Sequence, residues 1–381
     1  MNINKSTIPL IEEKNLIDAR APAFPIPVIR KPQASPGIAA LTSPPLDLRH
    51  RPLEDLRISV TDRCNFRCQY CMPKSIFNHS HPFLPHSQLL SFEEIHQVAA
   101  IFLKLGVKKL RITGGEPLLR RHIEVLIEQL AQLKTLDGTP PELTMTTNAT
   151  LLAKKAKALK AAGLNRVTIS LDAIDDGIFR SLNDMDVPVA TVLNGIDAAL
   201  DAGLTPLKVN MVVRKGINDH QIIPMVEHFR HSGVILRFIE FMDVGTTNGW
   251  HMEEVLPSQS VIDLIHAHYS IHPLEPHTPS ETAQRWAYDD GAGEIGVISS
   301  VTRAFCHSCS RARLSMEGRL FMCLFASAGY DLRGLLRQKL GEETLLASVA
   351  SLWKQRDDHY SELRAQGVHV EHRVEMSYIG G

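Results

Sequence analysis

The chain has 381 residues, of which 44% are hydrophobic and 22% are charged. This balance is typical of a globular protein with two or three compact units of about 150 residues each, and it excludes a disordered or fibrous chain. Lys and Arg number 41 against 42 Asp and Glu, so the net charge of −1 excludes the basic field of a general nucleic-acid binder. No apolar run reaches the roughly 18 residues that span a membrane, and no signal-peptide pattern opens the chain, so we predict a cytoplasmic protein.

The first 50 residues carry eight prolines and no sustained periodicity. Because proline fixes φ and removes an amide donor, neither helix nor sheet propagates through such a segment. We predict that residues 1–50 form a mobile extension without a chemical role.

From residue 56, short β-branched runs alternate with amphipathic stretches. Strands are predicted at 56–61, 107–113, 142–147, 166–172, 206–213 and 234–240. The clearest helix opens on a capping box, Ser91-x-x-Glu94, and further helices are predicted at 123–130, 151–162, 188–202 and 219–231. Six strand-then-helix units predict an α/β fold with a parallel sheet, which forms either a partial barrel or an open doubly wound sheet.

In either arrangement, the carboxyl ends of the parallel strands meet at one edge of the sheet and hold the site. Those ends are unusually polar, and they read Thr113-Gly114-Gly115-Glu116, Thr146-Thr147-Asn148, Ser170-Leu171-Asp172, Lys208-Val209-Asn210 and Arg237 through Met242. Past about residue 245 the alternation stops. We therefore separate a region at 51–245 from a more irregular one at 246–381.

Three cysteines, Cys64, Cys68 and Cys71, follow the first predicted strand with the spacing C-x3-C-x2-C. Thiolates are soft ligands that suit zinc or an iron–sulfur cluster. Structural zinc normally takes four ligands, whereas three cysteines on a [4Fe-4S] cluster leave the fourth iron open for a small molecule. The spacing favours a cluster, with zinc as the alternative.

The run Cys64-Asn65-Phe66-Arg67-Cys68-Gln69-Tyr70-Cys71, followed by Gly114-Gly115-Glu116-Pro117, resembles the radical S-adenosylmethionine superfamily. The resemblance implies that the open iron chelates S-adenosylmethionine, and that reductive cleavage of this cofactor releases a 5′-deoxyadenosyl radical that abstracts a substrate hydrogen. Independently of the resemblance, Gly114 and Gly115 lack a Cβ and allow the backbone to approach a ligand closely.

A second trio, Cys306, Cys309 and Cys323, repeats the three-thiolate count. The alternative is a zinc ribbon whose fourth ligand is His307. Arg311 and Arg313 follow closely, and residues two apart on an extended chain face the same side. Two converging guanidinium forks suit a phosphate-rich anion better than a single carboxylate.

With this second trio, the chain is similar to the branch of the superfamily that performs the first step of molybdenum cofactor biosynthesis, from about Arg51 to Gly381. The resemblance implies an incomplete (βα)6 TIM-type barrel with a C-terminal cluster-binding region, a second [4Fe-4S] cluster on Cys306, Cys309 and Cys323, and GTP as the substrate, with its guanine docked at the open iron of that cluster. It also implies a homodimer, a reductant protein, and a downstream cyclic pyranopterin monophosphate synthase that takes the product.

The resemblance also assigns contacts residue by residue. The S-adenosylmethionine contacts are Tyr70, Gly115, Ser170 and Met242, and the GTP contacts are Arg57, Arg111, Thr146, Lys208, Arg237, Arg311 and Arg313. No catalytic side chain is assigned, because the radical step needs no protein base. A triphosphate carries about four negative charges, which several Arg and Lys side chains can offset.

Three further features carry expectations. The resemblance implies that the terminal Gly380-Gly381 enters the active site, whereas a terminal diglycine elsewhere is usually a frayed end. Ala149 stands where the branch usually has glycine, so the loop must adjust if this position requires a positive φ. The run Gly291 to Gly296 spells a dinucleotide-binding fingerprint, but a strand rather than a helix follows it, and we predict a hairpin turn.

Two other functions stay open. A peptide-modifying radical enzyme with an auxiliary cluster would not need Arg311 and Arg313, so nucleotide binding distinguishes it. A zinc-stabilised binding module without catalysis is distinguished by its metal content.

Overall fold

The computed structural model describes residues 28–30, 43–338, 340–366 and 373–380. Its strands are β1 (Val28–Arg30), β2 (Asp55–Ser59), β3 (Lys109–Thr113), β4 (Glu142–Thr147), β5 (Arg166–Ser170), β6 (Lys208–Val213), β7 (Ile235–Glu240), β8 (Ile271–Leu274), β9 (Gln284–Tyr288), β10 (Glu294–Ile298), β11 (Arg311–Leu314), β12 (Arg319–Phe321) and β13 (Ala328–Asp331). Its helices are α1 (Phe92–Lys104), α2 (Ile123–Ala131), α3 (Leu152–Ala161), α4 (Asp176–Asn183), α5 (Val189–Asp201), α6 (Ile222–Phe229), α7 (Ser258–His266), α8 (Leu332–Arg337), α9 (Glu342–Lys354), α10 (Tyr360–Ala365) and α11 (Met376–Ile379).

The six predicted strands form the centre of one sheet. Strands β2 to β7 pair in parallel and in chain order, with helices in the connections between them. The order of the whole sheet is β1-β13-β12-β11-β2-β3-β4-β5-β6-β7-β10-β9-β8. Among the described residues its two edges do not pair with each other, so this mostly parallel α/β sheet fits a partial barrel rather than a closed one.

The region after residue 245 extends this sheet at both edges. Strand β10 pairs in parallel with β7, and β11 pairs in parallel with β2. Strands β9 and β10 are antiparallel and joined through Gly291 and Gly293, which have φ values of 76° and 115°. The predicted hairpin turn is therefore confirmed, and the glycines serve a turn.

The predicted helices follow from their capping and periodicity. The Ser91 hydroxyl accepts from the amide of Glu94 at 3.2 Å, and the Glu94 carboxylate accepts from the amide of Ser91 at 2.9 Å, which completes the capping box. Helix α4 is absent from the predicted elements because it is short. It begins after Asp175, whose side chain accepts from the amide of Ile178 at 2.9 Å.

Most of the predicted N-terminal extension, residues 1–27 and 31–42, lies outside the described residues. The described part of this segment contacts the rest of the chain. Residues Val28–Arg30 pair in parallel with β13, and Asp47 is buried among arginines. Across the part of the chain that the structure covers, no helix combines the length and apolarity needed to cross a membrane.

Candidate active site

The central strands alternate between an apolar outer face and a polar inner face. In β2, Leu56 and Ile58 are buried in the hydrophobic core with the helices, and Arg57 between them points to the opposite face. Strand register aligns the inner residues into three cross-strand rows: Arg313, Arg57, Arg111, Thr144 and Arg166; Thr146, Thr168 and Lys208; Ser170, Asn210 and Arg237. The inside of this partial barrel is therefore lined for a polar ligand.

The cationic residues do not lie where the strand-end rule predicts them. Arg57 and Arg111 are the central residues of their strands, and Lys208 is the first residue of β6. The cysteine loop and the Gly114-Gly115 turn do follow strand ends. The site thus has two levels. The upper level, at the carboxyl ends of the strands, consists of the cysteine loop and the Gly114-Gly115 turn. The lower level consists of inner-face residues within the strands, because alternating side chains reach the interior along the whole strand; its members are Arg57, Arg111, Thr144, Arg166, Lys208, Arg237 and Arg313.

The lower level concentrates positive charge away from water. Burial and neighbouring Arg313 and Arg111 hold the pKa of Arg57 well below its usual range. Burial, Arg237 and Arg166 lower the pKa of Lys208 to about 8. Such mutual repulsion is costly unless an anion compensates it, so the lower level is suited to a polyanion.

The first cysteine trio is held by its own loop. The Arg67 guanidinium donates to the carbonyls of Phe77 at 2.6 Å, Phe66 at 2.7 Å and Cys64 at 2.8 Å. Sequence reasoning did not assign Arg67 a role, although it stands between two of the cysteines. These charge-assisted bonds fix the backbone that presents the thiols.

The thiols of this trio lie near one another and are partly buried. Burial, with a contribution from Glu116, raises the pKa of Cys64 to about 12, and burial, Asp172 and the other two thiols raise the pKa of Cys68 well above its usual range. Three neighbouring thiols, each of which disfavours ionisation of the others, fit a bound cationic cluster. Within the described ranges no three His, Cys, Asp or Glu side chains are grouped to hold one metal ion.

Gly114 and Gly115 pack against the cysteine loop. The Gly115 amide donates to the Thr61 carbonyl at 2.8 Å, and a Cβ on Gly115 would lie 2.6 Å from the carbonyl carbon of Arg63. We predicted a close approach to a ligand, and the contact that the structure shows is backbone against backbone. The glycines let the turn after β3 dock on the segment leading into Cys64.

Glu116 ties this turn to the end of β4. Its carboxylate accepts from the Thr147 hydroxyl at 2.8 Å, the Asn148 amide at 2.7 Å and the Leu118 amide at 2.9 Å. Burial raises its pKa to about 7, against the lowering effect of these bonds. Glu116 therefore links two loops at the upper level.

The predicted S-adenosylmethionine contacts lie near the strand ends. The Tyr70 hydroxyl donates to Asp172 at 2.6 Å, and Asp172 follows Ser170 at the end of β5. Met242 follows β7, and its carbonyl accepts from Asn248 at 3.0 Å. Burial raises the pKa of Asp172 to about 6. Sequence reasoning placed Asp172 among the polar strand ends but gave it no partner.

The second cysteine trio has a basic environment. Although burial opposes it, Arg311 and Arg356 lower the pKa of Cys309 to about 6. Cys323 differs, because burial and Asp358 raise its pKa to about 12. Arg311 and Arg313 both project from the inner side of β11, as the spacing predicts.

A buried ion-pair network supports this trio. Arg356 donates to the Cys309 sulfur at 3.3 Å and to the Cys309 carbonyl at 2.9 Å, while Arg51 donates to the Cys306 carbonyl at 2.8 Å. Asp47 accepts from Arg51 at 2.7 Å and from Arg356 at 2.9 Å. Arg356 and Asp47 lie far from the cysteines in sequence, which is why spacing could not find them.

The C-terminal tail reaches the inner face. Arg313 donates to the carbonyl oxygen of Gly380, whose φ is 76°, and a Cβ at Gly380 would overlap the side chain of Thr113. Glu375 anchors the tail by accepting from the Thr246 amide at 2.8 Å. Gly380 thus occupies a position that glycine fits, while Gly381 lies outside the described residues.

Ala149 adopts the left-handed conformation that its position requires. Its φ is 61°, it is fully buried, and its carbonyl oxygen would lie 2.6 Å from a Cβ added at Gly195 of α5. The backbone therefore keeps a glycine-like conformation in spite of the methyl group, at a cost of about 1 kcal/mol.

Two family models match the chain. The Radical SAM superfamily model matches residues 58–229, and the Molybdenum Cofactor Synthesis C model matches residues 234–362. The solved structure of Streptococcus suis SuiB bound to S-adenosylmethionine aligns with 83% of this chain and 68% of its own, at 15% identity and a TM-score of 0.54, which supports the fold alone. Together these matches define a radical S-adenosylmethionine enzyme.

Curated relatives are similar over most of their length. The GTP 3′,8-cyclase of Acidothermus cellulolyticus is 46% identical over 90% of this chain and 100% of its own. The GTP 3′,8-cyclase of Staphylococcus aureus is 47% identical over 87% of this chain and 97% of its own. The chain belongs to the GTP 3′,8-cyclase family.

Proposed function

We propose that this chain converts GTP to (8S)-3′,8-cyclo-7,8-dihydroguanosine 5′-triphosphate, the first step of molybdenum cofactor biosynthesis. The observation that carries the proposal is the buried cationic lower level, which lies inside the same partial barrel as the cysteine loop. A peptide substrate would not compensate several buried guanidinium groups, whereas a triphosphate does.

Two [4Fe-4S] clusters and S-adenosylmethionine complete the proposed site. Cys64, Cys68 and Cys71 would hold the first cluster, and Cys306, Cys309 and Cys323 would hold the second in a C-terminal cluster-binding region. With S-adenosylmethionine bound, the first cluster would supply the electron for reductive cleavage of this cofactor, the source of the 5′-deoxyadenosyl radical that would take the 3′ hydrogen of GTP. Each trio supplies three free thiols, which fits a cluster with one open iron.

The chain's own side chains bind, orient and enclose the reactants. Tyr70, Gly115, Ser170 and Met242 are proposed to contact S-adenosylmethionine at the upper level. The proposed GTP contacts are Arg57, Arg111, Thr146, Lys208, Arg237, Arg311 and Arg313 on the inner faces of the strands. Fixed donors in a site closed to water hold C3′ near C8, and this positioning is the protein's main contribution to the rate.

The organisation and partners follow the family. We propose a (βα)6 partial barrel at 51–245 and a region at 246–381 that binds the second cluster and the nucleotide. We also propose a cytoplasmic homodimer that receives electrons from a reductant protein, one to cleave S-adenosylmethionine and one to reduce the cyclised radical, and passes its product to cyclic pyranopterin monophosphate synthase. One electron and one proton must enter after the C3′–C8 bond forms, because the cyclised radical is otherwise not reduced to the product.

Anaerobic incubation of the iron-loaded protein with GTP, S-adenosylmethionine and a chemical reductant tests the proposal. The expected products are 5′-deoxyadenosine and a cyclised nucleotide of unchanged mass. Replacing GTP with peptides tests the alternative. A colourless protein that holds zinc, or one that cleaves S-adenosylmethionine without altering GTP, would contradict the proposal.

A further inference from the structure

Four neighbouring side chains of the lower level each carry a buried polar atom without a partner. They form the unpaired row, Arg57, Arg111, Thr144 and Arg166, which are aligned across β2, β3, β4 and β5. The atoms are Nε of Arg57, Nε of Arg111, Oγ1 of Thr144 and Nη1 of Arg166, and none has a hydrogen-bond partner in the described part of the chain.

Four such atoms side by side are unusual in a folded protein. A buried donor or acceptor without a partner loses its hydrogen bonds to water and gains none in return, so natural structures rarely leave several together. Arg166 is 8% exposed and Thr144 is fully buried, so bulk water does not satisfy them. A ligand that accepts hydrogen bonds along the whole row removes this cost.

Arg166 forms an ion pair within the protein and also lies close enough to the other cationic residues to share a ligand with them. Its Nε donates to Glu142 at 2.6 Å, which uses one edge of the guanidinium. The Nη1 atom stays free, and the charge of Arg166 contributes to the lowered pKa values of Lys208 and Arg237. Arg166 therefore belongs to the same cationic group as these residues.

The lower level divides into two overlapping groups. Burial, and then the charges of Arg313 and Arg111, lower the pKa of Arg57, which lies next to β11 and the second cysteine trio. Burial, and then the charges of Arg111 and Arg166, lower the pKa of Arg237, which lies on β7, further along the same sheet. Since the resemblance implies that the guanine docks at the second trio, the group around Arg111 and Arg166 is left for the phosphates.

We infer that Arg166 and Thr144 bind the phosphates of the nucleotide beside Arg111, which extends the site by two residues that no motif indicates. This inference rests on the proposed function. A guanidinium fork and a hydroxyl are both suited to phosphate oxygens, and the row brings them together on adjacent strands.

The test compares nucleotide affinities of the anaerobic, iron-loaded protein and its variants. R166Q is expected to weaken GTP binding about tenfold or more, and T144V about two- to tenfold, since charged and neutral hydrogen bonds differ in strength. Guanosine, which lacks phosphates, is expected to bind both variants as it binds the wild type. E142Q is the matched control, because it breaks the ion pair of Arg166 but keeps the guanidinium.

Several outcomes would overturn the inference. These are an unchanged GTP affinity in both variants, an equal loss for guanosine and GTP, or a loss in E142Q as large as in R166Q. A structure of the GTP complex decides the question even if R166Q fails to fold: the inference requires Nη1 of Arg166 within about 3.2 Å of a phosphate oxygen. A wild-type protein that binds no GTP would instead refute the proposed function.

Discussion

The two cysteine trios have the same number of thiols but differ in the charges that lie beside them. Around the first, burial combines with nearby carboxylates: Asp172 helps to raise the pKa of Cys68, and Glu116 that of Cys64. Around the second, Arg311 and Arg356 overcome burial and lower the pKa of Cys309 to about 6. The ligand count alone therefore does not determine what a cluster does, because the neighbouring charges and hydrogen bonds set its properties.

The largest effect is expected from removing one thiol of each trio. C68A should abolish S-adenosylmethionine cleavage completely, because no radical can form. C309A should retain cleavage and lose cyclisation, because the nucleotide loses its docking position. Iron analysis and quantification of 5′-deoxyadenosine and product measure both, with iron falling from about eight to about four per chain in each variant. If C309A still cyclises GTP, the two trios do not have separate roles.

The Asp47 network is the next test, and it bears on the second trio alone. D47A leaves Arg51 and Arg356 buried without their shared carboxylate, at an expected cost of 3–5 kcal/mol. The measurement is urea unfolding of the anaerobic protein, together with its iron content. The control E128A removes an exposed carboxylate from α2, and its cost should stay within about 0.5 kcal/mol.

An equal loss of iron from both trios in D47A would contradict the assignment of the Asp47 network to the second trio. Because Asp47 contacts the second trio through Arg51 and Arg356, we expect the first trio to keep its iron.

The matching test at the first trio is G115A. A methyl group there would lie 2.6 Å from the carbonyl carbon of Arg63, so the turn and the cysteine loop must separate. We expect a loss of about 1–3 kcal/mol in unfolding free energy and a reduced affinity for S-adenosylmethionine. G341A is the control, because nothing lies within 4 Å of a Cβ there. Equal effects of the two variants would contradict the packing role of Gly115.

The sequence predicts the fold further than it predicts the site. Alternation and capping locate all six central strands and the helix that begins after Ser91, because local periodicity determines them. Both trios and the Arg311-Ala312-Arg313 run are visible as motifs. Arg356, Asp47 and Arg166 are not, since their roles arise from strand register and from contacts between distant segments, which spacing along the chain does not contain.

A smaller effect is expected in the reduction potentials. Reduction adds negative charge, which nearby arginines stabilise and nearby carboxylates oppose. The cluster that remains in C68A should therefore have a higher midpoint potential than the cluster that remains in C309A. Anaerobic potentiometric titration followed by EPR measures both values without S-adenosylmethionine. The reverse order would show that the charges described here do not govern the clusters.

The smallest effect is a pH dependence of stability at the first trio. The folded-state pKa of Glu116 is raised from 4.5 to about 7, so the folded protein binds a proton more tightly than the unfolded chain. Its contribution to stability is fully present below about pH 4.5 and is lost as pH rises through about 7. Between pH 5 and pH 7, the thermal midpoint of the wild type should therefore fall relative to that of E116Q. A difference that stays constant over this range would mean that the three donors around Glu116, and not its burial, determine its protonation.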